Sequence, residues 1–315
     1  MENRYRDYNG YLKEIFGRRV QKISLDAGLG CPNRDGGISG KGCIYCDQKG
    51  SGTGAKILNN KSIEEQLSTG IEWAKKRYGA ERFIAYFQSF TNTNAPVDVL
   101  KDLYGRALSF EGMAGLSVGT RPDCIDHEKL ALLNHYAEDF LVWIEYGLQS
   151  SHDITLKAIN RGHDVKAFAD AVRMTGEYWI NICAHVILGL PGETRAMMLE
   201  TARFLADQPL HGVKIHSLYV TKGTRLAEMY LKDEFTCMER DEYIETLIDF
   251  LELLPPEFII QRVTGDPDRG RLVAPGWTME KSANLNLFKK RLKERDTWQG
   301  RLFRIKSKTG NLQEQ

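Results

Sequence analysis

The stretch Cys31-Pro-Asn-Arg-Asp-Gly-Gly-Ile-Ser-Gly-Lys-Gly-Cys43-Ile-Tyr-Cys46 places three cysteines on one short, glycine-rich segment. It holds half of the six cysteines in the chain, and nine glycines lie between Gly28 and Gly54. Glycine allows a backbone to turn tightly around a bound group. Three neighbouring thiols therefore indicate a site for a soft metal centre rather than a purely structural loop.

The number of cysteines limits which metal centre this segment can hold. A structural zinc ion is almost always closed by four ligands, often from two Cys-x-x-Cys pairs or from added histidines. Here there is one such pair, Cys43 and Cys46, and one more distant cysteine, Cys31, and the nearest histidine along the chain is His127. An iron–sulfur cube held by three cysteines would leave one iron open to a non-protein ligand. Zinc, a redox pair and unrelated core cysteines are the alternatives.

The segment resembles the cluster loop of the radical S-adenosylmethionine (SAM) superfamily. The commonest spacing there is Cys-x3-Cys-x2-Cys, whereas eleven residues separate Cys31 from Cys43, as in the branch similar to the elongator catalytic subunit. The resemblance implies that Cys31, Cys43 and Cys46 hold a [4Fe-4S] cluster, that its open iron binds SAM, and that Tyr45 packs against the adenine. It also implies reductive cleavage of SAM to a 5′-deoxyadenosyl radical, with an external electron donor such as flavodoxin or ferredoxin.

Length, charge and hydropathy define the broad class. The chain has 315 residues, of which 42% are hydrophobic, enough for one large domain or a domain with an extension. Its net charge is +1, so a polyanionic partner would need a local basic patch. No apolar run approaches the roughly 20 residues of a membrane helix, and the N-terminus has no apolar signal core. We expect a cytoplasmic protein without a membrane partner; its oligomeric state is not indicated.

Strand and helix patterns alternate along the chain about every thirty residues. Predicted strands cover 20–26, 82–88, 113–119, 140–146, 179–188 and 212–220, and predicted helices cover 62–78, 97–109, 127–136, 167–176 and 194–207. Repeated strand–helix–strand units build a parallel sheet. The order predicts an α/β fold, a (β/α)6 partial TIM barrel at 20–224, after an N-terminal segment at 1–19 and before a C-terminal α+β extension at 225–315. Functional residues of such barrels lie at the carboxyl ends of the strands.

Basic residues gather at both ends of the chain. Residues 1–19 interleave arginines and lysines with tyrosines, which favours a helix that caps the barrel with its aromatics inward, or else a nucleic-acid contact. The tail from Phe288 to Lys308 is also basic. Contact with RNA phosphates and a solvated amphipathic helix both explain the tail.

Polar turns follow the second and third predicted strands. The turn Gln88–Asn94 takes the place of the superfamily's Gly-Gly-Glu element, and the resemblance implies that this turn, with Thr91, contacts the SAM amino group; a simple helix cap is the alternative. After the third strand, Pro122 forces Arg121 out of helical geometry. Arg121 either holds a carboxylate or phosphate, or pairs with Asp123.

The fourth strand carries an acidic residue in apolar surroundings, in Glu145-Tyr-Gly-Leu-Gln149-Ser150. A buried Glu145 needs a partner, either a cation of a neighbouring strand or a ligand. Glu-x-Gly-x-Gln-Ser resembles the elongator-like and coproporphyrinogen-oxidase-like branches, which implies that Glu145 and Gln149 approach SAM. In Asn160-Arg161-Gly-His163, the same resemblance implies that Arg161 pairs with the SAM carboxylate, although a lone loop arginine is usually solvated.

The fifth and sixth predicted strands supply further polar candidates. In His185-Val-Ile-Leu-Gly189-Leu-Pro-Gly192, the turn resembles the Gly-x-Pro-Gly element that lays backbone against the adenine, so Gly189 is a candidate contact. His185 is either a ribose contact or a satisfied core histidine. Lys214, His216 and Lys222 are candidates for substrate contact or proton delivery, or form a polar rim.

The loop 264–271 with Leu272–Trp277 resembles a small group of radical SAM proteins, the YhcC/YtqA type. For YtqA-type members the resemblance implies tRNA as substrate, with a carboxymethylaminomethyl group on the wobble uridine matured toward aminomethyl. A small metabolite as substrate and a non-catalytic metal-containing RNA-binding module are the competing interpretations. The remaining cysteines, Cys124, Cys183 and Cys237, are too scattered to indicate a second cluster.

Overall fold

Parallel strands dominate the computed structural model, which describes residues 3–47, 50 and 61–304. Seven strands form one parallel sheet in the order β1-β2-β3-β4-β5-β6-β8, and a separate antiparallel pair joins β7 to β9. The strands are β1 (Val20–Leu25), β2 (Arg82–Phe87), β3 (Met113–Thr120), β4 (Leu141–Gln149), β5 (Asn181–Leu188), β6 (Gly212–Ser217), β7 (Val220–Thr221), β8 (Ile259–Arg262) and β9 (Leu272–Ala274).

The two edges of the sheet approach each other. Lys22 lies on edge strand β1 and Gln261 on edge strand β8, yet Nζ of Lys22 lies 2.8 Å from Oε1 of Gln261. A flat sheet would hold strands six positions apart roughly 30 Å from each other, at about 4.8 Å per strand. The sheet is therefore curled into a partial barrel, which confirms the predicted fold and adds a seventh strand.

Helices cover the outside of the sheet and separate its strands along the chain. They are α1 (Tyr8–Phe16), α2 (Ile63–Tyr78), α3 (Val97–Leu108), α4 (His127–Ala137), α5 (Asp153–Ala158), α6 (Val165–Thr175), α7 (Arg195–Ala206), α8 (Arg225–Leu231), α9 (Arg240–Leu253) and α10 (Lys281–Glu294). The spacing of Ser62 and Glu65 in the sequence predicts a capping box, and it is present at the start of α2. Apolar residues on the outward faces of the strands pack against these helices in the largest core cluster.

The N-terminal segment packs against the amino ends of the strands. Tyr8 and Tyr11 of α1 both meet the ring of Trp143 edge-on, with centroids 5.9 Å apart in each case. Tyr8 and Leu12 are buried in a cluster that includes Val20. The helix therefore closes the bottom of the barrel with its aromatic side chains inward. This is the first of the two alternatives predicted for residues 1–19, the other being a nucleic-acid contact.

Two details of the predicted elements are wrong. The sixth strand ends at Ser217 rather than at residue 220, and Val220–Thr221 pairs instead with Leu272–Ala274. Ser217 accepts a hydrogen bond from the amide of Gly265, so the loop after β8 occupies the side of β6 at this point. The sequence also predicts a strand at Phe258–Val263 in the C-terminal extension, but this strand belongs to the barrel sheet, because β8 pairs in parallel with β6.

No helix in the described ranges is long and apolar enough to span a membrane.

Candidate active site

A cavity of about 180 Å³ opens at the carboxyl ends of the barrel strands. All three cysteines of the glycine-rich segment line it. Six of the seven predicted SAM contacts also line it: Tyr45, Thr91, Glu145, Gln149, Arg161 and His185. The structure thus brings together residues from the cysteine loop, from the ends of β2, β4 and β5, and from the loop after α5.

The cysteine loop is fastened to the loop after α5. The amide of Ile44 donates to the carbonyl of Ile159 at 3.0 Å, and Nδ2 of Asn33 donates to the carbonyl of Asn160 at 2.7 Å. In return, Nδ2 of Asn160 donates to the carbonyl of Gly42 at 2.6 Å. These bonds fix the cysteines beside Arg161.

Three donors point at the cysteine sulfurs. Nη1 of Arg161 and Nδ2 of Asn33 each lie 3.6 Å from Sγ of Cys43. Nη1 of Arg34 lies 3.6 Å from Sγ of Cys46. Cationic donors favour thiolates over thiols, and hydrogen bonds to the sulfurs tune an iron–sulfur cluster. The loop is therefore built for sulfurs that carry negative charge.

The spacing of the thiols bears on which metal centre fits. Within the described residues, no three His, Cys, Asp or Glu side chains converge closely enough to share one metal ion. Thiolates on a single zinc ion lie within about 4 Å of each other, because each zinc–sulfur bond is about 2.3 Å. On a cube each cysteine binds a different iron, which allows a wider spacing. All three cysteines line the one cavity, as a cube with three protein ligands would require.

Arg161 is held rigidly at the cavity wall. Its Nη2 and Nε donate to the carbonyl of Gly147 at 2.7 and 3.2 Å, and its own carbonyl accepts from Nη1 of Arg121 at 2.8 Å. Burial opposes its charge, but Tyr45 and Cys43 raise its pKa overall. A Cβ atom at Gly147 would lie 2.5 Å from Nη2 of Arg161, so only glycine permits this approach.

Arg121 supports this wall rather than offering its charge to a ligand. It is almost fully buried, and its Nε and Nη2 bind the two carboxylate oxygens of Asp123 at 2.9 and 2.7 Å. The pairing with Asp123 is the second of the two roles predicted for it.

Two other predicted contacts have unusual local geometry. Gln149 has a φ of +78° at the end of β4, a conformation that costs energy for a residue other than glycine. Thr91 is buried, its amide donates to the carbonyl of Gly30 at 3.0 Å, and its hydroxyl has no partner within the described residues. Both side chains border the cavity, where a ligand would meet them.

Glu145 sits at the centre of a charged layer inside the barrel. Its Oε1 accepts from Lys22 at 2.5 Å, and its Oε2 accepts from Lys214 at 2.6 Å and faces Nε2 of His185 at 2.8 Å. Burial alone would raise the pKa of Glu145, but Lys214 and Lys22 hold it well below its ordinary range. The ion pair that sequence reasoning offered for this residue is present, and it lies within the cavity.

Burial disfavours the charged form of both histidines in this layer. Burial, followed by the nearby charge of Lys214, lowers the pKa of His185 to about 4. The ring of His216 lies 5.4 Å from that of His185, and burial together with Arg262 lowers its pKa well below the ordinary value. Both rings can therefore exchange hydrogen bonds with a ligand without carrying charge.

Two candidates lie apart from the cavity lining. Gly189 has a φ of +89°, and its amide faces the sulfur of Met198 at 3.2 Å, which places it at the end of β5 but outside the lining. Nζ of Lys222 approaches the carbonyl of Gly270 at 3.4 Å, also away from the lining. The contact of Gly189 with adenine is still a prediction.

Sequence reasoning missed several residues that belong to the site. Lys22 lies inside the barrel, where it contacts Glu145. Alternation along β1 shows which residues share a face with Lys22, but that face was not recognised from the sequence as the inward one. Arg262 lines the cavity from β8, a strand predicted to lie outside the barrel. Arg34 lies in the cysteine loop itself and passes for a solvated loop residue in the sequence.

Two family models match successive parts of the chain. The Radical SAM superfamily model matches residues 28–205, and the model of a Radical SAM C-terminal domain matches residues 210–294. The chain belongs to the radical SAM superfamily. Radical SAM enzymes use a [4Fe-4S] cluster and SAM, so the protein is an enzyme with these cofactors, and the non-catalytic module is set aside.

Relatives of this radical SAM protein include one that it matches over nearly its whole length. It is 38% identical to the Bacillus subtilis protein YtqA over 306 residues, covering 96% of this chain and 94% of YtqA. It is 27% identical to the tRNA uridine(34) acetyltransferase of Dehalococcoides mccartyi over 48% of this chain and 33% of that protein.

A solved structure shares the radical SAM fold. The archaeal Elp3 of Methanocaldococcus infernus, lacking its N-terminus, superposes with a TM-score of 0.66 at 17% sequence identity. The match covers 89% of this chain and 64% of that one. At this identity the similarity concerns the fold.

Proposed function

We propose that this radical SAM enzyme modifies the wobble uridine of tRNA, maturing a carboxymethylaminomethyl group toward aminomethyl. One observation carries the catalytic part: Cys31, Cys43 and Cys46 line one cavity with Arg161 at the carboxyl ends of the barrel strands. The similarity to a tRNA uridine(34) acetyltransferase supports the choice of substrate.

The three cysteines are proposed to hold the cluster, with Arg34 and Arg161 stabilising its charge through Cys46 and Cys43. A cluster held there would supply, once reduced by an external donor, the electron for cleavage of SAM into methionine and the radical species that takes a hydrogen atom from the substrate. The protein's part is to hold SAM and substrate in the cavity and to exclude water around them.

Each predicted SAM contact has a specific task in this proposal. Arg161 binds the SAM carboxylate, because a guanidinium already fixed at Gly147 is preorganised for it. Tyr45 and the backbone at Gly189 contact the adenine. Thr91 binds the amino group with its unpartnered hydroxyl.

The ribose is assigned to the end of β4 and its neighbour β5. Glu145 and His185 face its hydroxyls, and Gln149 closes that side of the site. His185 is already within 2.8 Å of Glu145, so a hydroxyl that enters here joins an existing hydrogen-bonded pair.

The tRNA itself is proposed to meet the basic face of α10. Arg295 binds Glu245 and Asp249 of α9, and Arg291 also pairs with α9, so these two arginines are partly neutralised. Lys289 and Lys293 form no ion pair within the described residues and are free to meet phosphates. Lys306 and Lys308 lie outside the described residues. An external one-electron donor such as flavodoxin or ferredoxin completes the proposal.

Nucleoside analysis of tRNA tests the proposal. In cells that lack the gene, carboxymethylaminomethyl uridine should accumulate at the wobble position and aminomethyl-derived uridines should disappear. Expression of the wild-type chain should restore them, and expression of Cys43→Ala should not. Unchanged wobble uridines would instead favour a small metabolite as the substrate.

A further inference from the structure

Among the residues that the structure describes, the layer around Glu145 inside the barrel holds more cationic than anionic side chains. Lys22, Lys214 and Arg262 project into the layer around Glu145. Glu145 is the carboxylate that Lys22 and Lys214 contact, and each of them forms an ion pair with one of its oxygens. Lys214 also donates to the hydroxyl of Tyr86 at 2.9 Å. Both carboxylate oxygens of Glu145 are therefore already bound by Lys22, Lys214 and His185.

Arg262 is left without a counter-ion. Within the described residues it forms no ion pair and no side-chain hydrogen bond, although it lines the cavity and is only partly exposed. Lys214 is its direct cross-strand partner, so two cations stand side by side on β6 and β8. A partly buried cation without a partner is costly, and a bound anion removes that cost.

A second, independent feature points into the same space. Nε2 of His216 is buried and has no hydrogen-bond partner within the described residues. His216 lies two residues beyond Lys214 on the same strand, so both side chains face the same side of the sheet. Lys214 has a pKa lowered to about 8 by burial, against the opposing effect of Glu145, so it is still largely charged near neutral pH.

We propose that Arg262 binds a carboxylate of the substrate inside the barrel, with Lys214 and Nε2 of His216 beside it. A guanidinium presents two parallel N–H donors that match the two oxygens of a carboxylate. The inference rests on the proposed function, because the carboxymethylaminomethyl group ends in a carboxylate. The acidic end of the group would then lie at the β6–β8 side of the cavity that the three cysteines also line.

The same cations would also attract a phosphate or the carboxylate of SAM, and the test separates these sources. Reconstituted enzyme with SAM is titrated anaerobically with two anticodon stem-loops, one with carboxymethylaminomethyl uridine and one with aminomethyl uridine at the wobble position. The variants are Arg262→Gln, Arg262→Lys and, as the matched control, Arg269→Gln, which removes an exposed arginine from the loop after β8. SAM affinity is measured separately for each variant, and circular dichroism checks the fold.

The proposal predicts that the wild type prefers the carboxylate-bearing stem-loop and that Arg262→Gln loses this preference, with binding weakened roughly tenfold or more. Arg262→Lys should retain part of it, and Arg269→Gln all of it. A loss of SAM affinity in Arg262→Gln would assign the arginine to the cofactor and overturn the proposal. Equal weakening of both stem-loops would assign it to a phosphate, with the same consequence.

A small probe separates failure of this inference from failure of the tRNA function. N-methylglycine contains the same aminoacetate fragment and is titrated into the SAM-loaded enzyme. Suppose that the wild type binds both stem-loops equally, but that N-methylglycine binds the wild type and not Arg262→Gln. The carboxylate site at Arg262 is then supported, and tRNA is excluded as the substrate. If the wild type distinguishes neither the stem-loops nor N-methylglycine from their carboxylate-free counterparts, the carboxylate site is wrong.

Discussion

Nη1 of Arg161 lies 3.6 Å from Sγ of Cys43, which joins the arginine predicted to bind SAM to a cysteine predicted to bind the cluster. The link comes from two loops that are 118 residues apart in the chain. It places a fixed positive charge between the predicted cluster ligand and the predicted position of the SAM carboxylate.

We expect Arg161→Gln to weaken SAM binding by roughly 10- to 100-fold, the usual cost of losing a charge-assisted hydrogen bond. Calorimetric titration of the anaerobic enzyme with SAM measures this. The control is Arg173→Gln, because Arg173 is exposed on α6. SAM affinity equal to that of the control would remove Arg161 from the SAM site.

Gly147→Ala tests the position of Arg161 at the cavity wall without a change of charge. The new Cβ would lie 2.5 Å from Nη2 of Arg161 and 2.7 Å from Nε2 of Gln149, so both side chains must shift. We expect weaker SAM binding with the fold retained. Gly105→Ala in α3 is the control, since its nearest neighbour atom would lie at an ordinary 3.4 Å and alanine favours helix. The prediction fails if both variants bind SAM like the wild type.

Each of Cys31→Ala, Cys43→Ala and Cys46→Ala should lose bound iron and the broad visible absorption of a cluster, because a cube with two protein ligands is weakly held. Iron analysis and absorption spectra of anaerobically reconstituted protein measure this. Cys237→Ala should keep both, since Cys237 does not line the cavity. Full iron content in any of the three variants would exclude that cysteine as a ligand.

The barrel was predictable because its signal is local. Alternating strand and helix patterns fix a parallel sheet, and motifs at strand ends are brought together by the topology itself. For this reason six of seven predicted SAM contacts line one cavity, although each was assigned from its own short motif.

Long-range pairing explains what the sequence left open. Nothing local distinguishes a strand that joins the sheet from one in a separate extension, so β8 was assigned to the extension and Arg262 was not recognised as a cavity residue. The partners of Glu145 come from β1, β5 and β6, and only the curl of the sheet brings Lys22 to it. Likewise, the pairing of Arg121 with Asp123 depends on a turn geometry that Pro122 permits but does not require.

The neutral state of His185 makes stability depend on pH. Burial lowers its pKa from 6.5 to about 4, so as the pH falls the unfolded chain binds a proton before the folded protein does. The stabilisation is complete above pH 6.5 and is lost as the pH falls toward 4. By pH 5 this histidine alone should cost about 2 kcal/mol of folding free energy relative to pH 7.

Thermal unfolding of the wild type and of His185→Gln at pH 7 and pH 5 measures the effect. The variant should lose less stability on acidification, because glutamine does not titrate. His135→Gln removes an exposed histidine and should leave the acid loss at its wild-type size. An acid loss in His185→Gln equal to that of the wild type would contradict the prediction.

Glu145 should matter more for stability than any exposed carboxylate, because it separates two buried cations. Its replacement in Glu145→Gln leaves Lys22 and Lys214 facing each other without the charge that both now contact. Removal of one partner of a buried pair typically costs about 3–5 kcal/mol, and we expect a loss of that order in the free energy of unfolding. Glu138→Gln, at an exposed position, should change it by less than about 0.5 kcal/mol.

The double variant Glu145→Gln with Lys214→Met decides whether the loss arises from the unpaired charge. Methionine fills the space of the lysine stem without its ammonium group, so the repulsion that the single variant creates is relieved. The double variant should therefore be more stable than Glu145→Gln alone, a non-additive result that denaturant unfolding can measure. If the two substitutions simply add, the layer around Glu145 is stabilised by packing, and the excess of buried positive charge does not govern it.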